Sequence, residues 1–359
     1  MSSRDSVDRL RLATRGSALA LRQAGLVEEQ LGSRRLSVEL VTVETTGDQV
    51  RDELIHRLGK TGAFVRSLDE RVIEGEVDAA VHSMKDMPTE FPEELVVGGV
   101  PERAPAGDVL LTPGGADLSE LPEGATVGTS SLRRKAQLLS ARPDLAVEPL
   151  RGNVDTRVQK LLAPELQAEH ERRLEAEAAE SGTSDDRTAE EWFEDLSEIE
   201  RQALGREVDA EFDAIVLAEA GLERIDLLAT LEFQRLDPPL VPAPGQGAIA
   251  VTARDDDVVD ALRHELDHPR TRVATTVERT VLGTLGGGCV APVGIHAIIR
   301  GEYVHTRVRV LSQDGTEEVA ATRDLPVDRH PEAAREFAEE LADEGAAALI
   351  QRARREVGE

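Results

Sequence analysis

Three times in the first half of this chain, a short apolar run ends in a turn of hydroxyl and arginine residues that opens a helix-like stretch. Residues 10–14 lead into Arg15-Gly16-Ser17, and 126–128 lead into Thr129-Ser130-Ser131-Leu132-Arg133-Arg134. Residues 146–149 lead into Leu150-Arg151-Gly152-Asn153-Val154-Asp155-Thr156-Arg157. Strand-then-helix units of this kind fold with parallel strands, which commits the chain to the α/β class. Ser17 is placed to cap a helix spanning 18–31, and Arg15 beside that helix start can hold an anion. Arg133 and Arg134 in a first helical turn oppose the helix dipole unless an anion sits there. One such cluster is most simply a surface salt-bridge site. Three together, with guanidinium forks that match carboxylates and phosphates, point to a polyanionic ligand.

A fourth strand end carries a different chemistry. Residues 77–82 read as a buried strand that breaks into Ser83-Met84-Lys85-Asp86, and Pro88 and Pro92 prevent a regular continuation. In open α/β sheets ligands are handled just past the carboxyl ends of strands, where Ser83, Lys85 and Asp86 are placed. A solvated turn with an adjacent ion pair is the plain alternative, and the arginines at the other junctions weigh against it.

A chain of 359 residues exceeds one compact core, so two or three domains are expected. No apolar run approaches the roughly eighteen residues of a membrane span. The first residues lack an apolar signal core, which predicts a cytoplasmic protein. A single cysteine, Cys289, excludes an intrachain disulfide. Seventy acids face 42 bases for a net charge of −28, and only Lys60, Lys85, Lys135 and Lys160 are lysines. Such a chain repels nucleic acid and anionic membranes, and its self-repulsion is relieved by concentrated salt. Acid excess with scarce lysine resembles proteins of salt-loving organisms. The regular apolar patterning argues against disorder.

Several motifs are decoys. Gly59-Lys60-Thr61-Gly62 imitates the end of a phosphate-binding loop, but Leu54 stands where the motif needs glycine. Gly245, Gly247 and Ala250 fit a loose dinucleotide fingerprint, yet prolines precede them instead of a strand. His264-Glu265-Leu266-Asp267-His268 is a formal zinc signature with both histidines on one helical face. Pro269 ends that helix and no third ligand is marked, so no metal is expected.

Residues 165–211 hold seventeen acids against five arginines and read as a solvated helical insertion. Trp192, Phe193, Leu196 and Ile199 form a stripe able to pin one helix to the body. Past Gly286-Gly287-Gly288-Cys289, which displays the thiol on a glycine loop, 293–300, 304–312 and 318–324 read as an antiparallel sheet. One helix over 331–354 closes the chain.

Val81-His82-Ser83-Met84-Lys85-Asp86, the Thr129 to Arg134 run, Arg151-Gly152-Asn153-Val154 and the cysteine loop are similar, in order, to the hydroxymethylbilane synthase (porphobilinogen deaminase) family. Leu12-Ala13-Thr14-Arg15 and Gly245-Gln246-Gly247 match as well. The resemblance spans nearly everything but the insertion, at about 164–210. It implies three domains, the first two α/β and resembling periplasmic binding proteins around a cleft. These are 1–101 with 246–265, 102–245, and a small α+β domain over 266–359. It also implies a dipyrromethane cofactor joined by thioether to Cys289, and a monomeric enzyme. That enzyme would condense four porphobilinogens into a linear tetrapyrrole with loss of ammonia. The family has Gly-Gly-Lys-Gly where Gly59-Lys60-Thr61-Gly62 stands, and commonly an acid at Gly286.

Porphobilinogen carries acetate and propionate arms, so a growing chain is a polycarboxylate suited to Arg15, Ser17, Ser83, Lys85, Thr129, Ser131, Arg133, Arg134, Arg151, Gly152 and Arg157. On this reading Asp86 assists proton transfer at the leaving amine and stabilises the cationic pyrrole. The Cys289 thiolate is the nucleophile that captures the first electrophile. A non-catalytic anion-binding protein with the same cleft is the rival; it needs the arginines but neither Asp86 nor a modified Cys289.

Overall fold

The computed structural model describes residues 9–32, 37–43, 63–178, 187–254, 256–288 and 291–358. The loop expected at 47–62, with Gly59-Lys60-Thr61-Gly62, the breaker Ser181-Gly182-Thr183-Ser184, and Cys289 lie outside these residues.

The opening β-α-β unit forms as the sequence dictates. β1 (Arg9–Arg15) runs through α1 (Ala18–Gly32) to β2 (Ser37–Val43), and the two strands pair in parallel. α2 (Ala63–Ile73) leads into β3 (Ala79–Ser83), parallel to β1, and β4 (Val96–Gly99) follows. The second sheet is built from β5 (Asp108–Leu111), β6 (Thr126–Gly128), α3 (Leu132–Ala141) and β7 (Ala146–Glu148). The long α4 (Val154–Ala178) and short α5 (Ala189–Asp195) and α6 (Glu198–Leu204) come next. β8 (Ala214–Ala218), α7 (Glu219–Arg224) and β9 (Gln234–Arg235) complete this part. The chain then returns to the first sheet as β10 (Ile249–Ala253), buried at every position.

The sheet orders are β2-β1-β3-β10-β4 and β7-β6-β8-β5-β9. Each has three parallel strands followed by an antiparallel fourth, β10 or β5. Both fourth strands are mostly apolar and buried at every position, as strands covered on two faces must be. The connections into them pass back to back. Gly247 (φ 82°) lets its backbone carbonyl accept from Ala104 N–H at 3.3 Å, and a Cβ there would lie 2.4 Å from the Ala104 carbonyl. The Gln246 side chain donates to the carbonyls of Ala106 (2.6 Å) and Gly107 (3.0 Å).

α8 (Asp256–Leu266) packs on β4, and α9 (Pro269–Thr284) begins after a break. His264 and His268 therefore do not share a helical face. His264 is turned outward beside Glu265, and His268 bonds Thr271 at the start of the next helix. Pro269 sets that start. The third sheet is antiparallel, β11 (Val293–Arg300), β12 (Tyr303–Leu311) and β13 (Glu318–Pro326). Instead of one closing helix there are two, α10 (His330–Asp343) and α11 (Ala346–Val357), separated at Gly345 (φ 110°). Glu278 of α9, fully buried, fastens this unit to both crossing segments. It accepts from Arg103 at 2.7 and 3.1 Å, from Gly245 N–H at 2.7 Å and from Ala297 N–H at 2.8 Å.

The acidic segment also differs from expectation. α4 continues through Pro164, and the Trp192 stripe is split between α5 and α6 by Ser197, which caps α6. Phe193 is exposed, Trp192 stacks on His170 at 6.0 Å, and Ile199 joins the core around Val158, Leu161 and Phe212. Among the described residues no helix is long and apolar enough to cross a membrane.

Candidate active site

A cavity of about 270 Å³ opens between the two five-stranded sheets. One wall is the end of β1 and start of α1, with Arg15, Ser17 and Gln23, together with Ser83, Lys85 and Asp86 past β3. The other wall is the turn into α4, with Gly152, Asn153, Asp155 and Arg157, and Ile225 below it. Seven of the residues singled out from sequence thus meet in one place: Arg15, Ser17, Ser83, Lys85, Asp86, Gly152 and Arg157.

Local geometry fixes each of them. Ser17 accepts from Ala20 N–H at 3.3 Å, capping α1 as its spacing predicts. Asp86 ends a single 3-10 turn, Met84–Asp86, whose buried Met84 anchors an otherwise exposed carboxylate. Gly152 has φ 115°, and a Cβ there would collide with Thr156 at 2.4 Å. Its carbonyl accepts from Arg157 Nε at 2.8 Å.

The charges act on one another across the cleft. Asp86 pulls the Lys85 pKa upward, but burial and the Arg134 and Arg157 charges outweigh it and leave the amine below the ordinary lysine range. Burial, with the Arg134 charge, lowers Arg157 to about 10 against the pull of Asp86. A cationic cleft held partly out of water is costly without an anion in it.

The remaining residues stand behind this wall. Thr129 is buried, and Ser131 caps α3 by accepting from Arg134 N–H at 3.4 Å. The anion that the α3 arginines call for is supplied in part by the protein itself. Arg133 donates to Asp108 Oδ2 at 2.7 Å and Arg134 Nε to Oδ1 at 2.9 Å, all three buried. Burial opposes ionised Asp108, yet the two guanidiniums hold its carboxyl far below the usual range. Two cations on one carboxylate leave a net positive charge, and Arg133 Nε is buried without a hydrogen-bond partner among the described residues. Those residues fit a group bearing carboxylates. Arg151 is half-buried beside Gly152, outside the cavity lining. Cys289 lies outside the described residues.

Besides Asn153, three polar lining residues were not singled out from sequence. Gln23 is buried and exchanges hydrogen bonds with Ser83 Oγ at 2.8 and 3.1 Å. Its signal was a polar residue within the buried stripe Gln23, Ala24, Val27, Leu31 of α1. His82 contacts buried Asp69 (3.0 Å) and Thr252 (3.1 Å), partners from distant segments that no local pattern reveals. Asp155 is the third.

A family model described as "Porphobilinogen deaminase, dipyromethane cofactor binding domain" matches residues 10–170 and 200–260. A second, "Porphobilinogen deaminase, C-terminal domain", matches 273–345. The break between 170 and 200 falls inside the acidic segment. A "Probable porphobilinogen deaminase" of Halobacterium salinarum is 52% identical, covering 98% of this chain and 100% of its own. A "Porphobilinogen deaminase" of Desulforudis audaxviator is 38% identical over 96% of this chain and 97% of its own. Among solved structures, a methionine binding protein is a loose fold likeness. It is 13% identical, with a TM-score of 0.37, over 72% of this chain and 88% of that one.

Proposed function

The chain belongs to the porphobilinogen deaminase family, and from that premise we propose that the cleft between its two five-stranded sheets is where porphobilinogen is condensed. The protein is a transferase of tetrapyrrole biosynthesis that joins porphobilinogen units stepwise into hydroxymethylbilane with release of ammonia. Its larger matched portion is a dipyrromethane cofactor-binding domain.

One observation carries the assignment of the site: Asp86 is the carboxylate at the end of β3, inside a cavity whose other charges there are the cations Arg15, Lys85 and Arg157 and the acid Asp155. In each step the C–N bond of an aminomethyl group breaks, the nitrogen leaves as ammonia with the bonding electrons, and a pyrrole-stabilised carbocation remains. The free α-carbon of a neighbouring pyrrole attacks it and then loses its proton. Asp86 offsets the positive charge while it exists and accepts or relays that proton. Arg15, Ser17, Ser83, Lys85, Gly152 and Arg157 bind the acid arms of the reacting units.

The cofactor, when bound, supplies a fixed pyrrole end on which the chain grows. Thr129, Ser131, Arg133, Arg134 and Arg151 would meet its carboxylates, supported by the unpartnered Arg133 Nε and the excess charge over Asp108. Attachment through a thioether to Cys289 belongs to the same proposal, since a thiolate is the nucleophile this chemistry needs and the chain has one cysteine. So do the domain limits 1–101 with 246–265, 102–245 and 266–359. They are supported by β10 joining the first sheet and by the separate third sheet. A monomeric, cytoplasmic protein without a nucleic-acid partner completes the reading, the last supported by the charge of −28.

Supplying porphobilinogen and following ammonia and bilane together tests the site. Lys85→Ala and Arg157→Ala should raise KM while one ammonia still accompanies each monomer consumed. Unchanged KM in both variants would remove the cleft from substrate binding.

A further inference from the structure

The cavity holds a carboxylate that the reaction as described does not use. Asp155 stands in the first turn of α4, half-buried, on the wall opposite Asp86. Among the described residues no hydrogen bond or ion pair engages it.

An unpaired acid is out of place in a cleft for polycarboxylates, because it repels the arms that Arg15, Lys85 and Arg157 attract. The helix dipole offers Asp155 some stabilisation at this position, but that benefit needs no cavity. Porphobilinogen carries one cation beside its two acid arms, the protonated aminomethyl group. Resting on the reading of the cleft above, we infer that Asp155 receives the aminomethyl ammonium of the incoming monomer. The monomer is then recognised by its positive end as well as its negative arms. The C–N bond is also presented with the nitrogen already protonated and ready to leave as ammonia. A product unit that has lost its nitrogen no longer satisfies Asp155, which favours fresh monomer over the chain's own pyrroles at this subsite.

The test compares porphobilinogen with its hydroxymethyl analogue, in which a neutral hydroxyl replaces the amine. A hydrogen-bonded charge pair lost on one side corresponds to about a tenfold change or more. Asp155→Asn should therefore raise KM for porphobilinogen about tenfold and leave KM for the analogue within about twofold. Asp155→Glu, which keeps the charge, should retain most of the preference for the amine. Equal losses for both substrates in Asp155→Asn, with wild-type protein active on both, would mark Asp155 as a helix-start residue only and overturn the inference. Unaltered kinetics in Asp155→Asn would overturn it as well. The reading of the cleft itself fails separately, through Asp86→Asn turning over both substrates normally.

Discussion

Arg133 and Asp108 form a buried pair, the guanidinium donating to Oδ2 at 2.7 Å while Arg134 takes the other oxygen. Gln246 completes the group, donating to Asp108 at 2.9 Å and accepting from Arg133 at 3.3 Å. The start of β5, the start of α3 and the returning crossing segment are thus tied at one carboxylate. Removing one partner strands the other charges in the interior, which costs far more than the intact pair contributes.

Asp108→Asn should lower the unfolding free energy by about 3–5 kcal/mol at neutral pH. The folded-state pKa of Asp108 is depressed, so its contribution is complete above the unfolded value near 4 and is lost as pH falls towards the folded one. Urea melts at constant salt should show the gap between wild type and variant narrowing by about 1.4 kcal/mol per pH unit below about 4. A gap independent of pH would mean that Asp108 is not the ionised partner of these arginines.

Asp86→Asn keeps the shape of the 3-10 turn and removes its charge. Pyrrole chains should still bind, with turnover reduced about a hundredfold or more. Single-turnover assays separate the two effects, and wild-type turnover would take Asp86 out of the chemistry.

Much of this was legible locally. The strand at Thr126–Gly128 stands where a short apolar run ending in turn residues puts it. That Ser83, Lys85 and Asp86 stand together past a strand end follows from a strand broken by prolines, and they share one wall of the cavity. Long-range pairing was not legible. Nothing near Arg133 announces that its anion lies 25 residues away, and nothing in residues 249–253 announces pairing with β3, where Ile249 faces Ser83. Gly345 falls inside the single helix that the sequence predicts over 331–354, since a glycine can sit in a helix at modest cost, whereas its positive φ turns the chain there. Phe193 fitted a helical period that Ser197 interrupts.

The acidic segment is joined to the core through Ile199, which packs with Val158, Leu161 and Phe212, and Ala203 on the same helix is buried. Excising 164–210 with a short linker should therefore lower the melting temperature while leaving kcat/KM of the folded fraction largely intact. None of the cavity residues lies in it. A stable, folded deletion without turnover would give the segment a part in catalysis.

Salt should be required for folding. With −28 net charges and four lysines, repulsion across the surface is relieved only where counter-ions are dense. The thermal midpoint should climb steeply from dilute buffer to molar potassium chloride; a flat or falling midpoint would contradict this.

The most direct test of the account is the intact mass of the freshly purified active protein. Condensation on a covalently held dipyrromethane predicts a mass above that of the chain by two linked pyrrole units. The excess should localise to the peptide containing Cys289 and survive reduction, since a thioether is not opened by thiols. Cys289→Ser should lack the normal adduct, a trace of ether-linked material being the most a weakly nucleophilic hydroxyl could form. Active wild-type protein at the bare mass of its sequence, allowing for loss of Met1, would contradict the covalent-cofactor account.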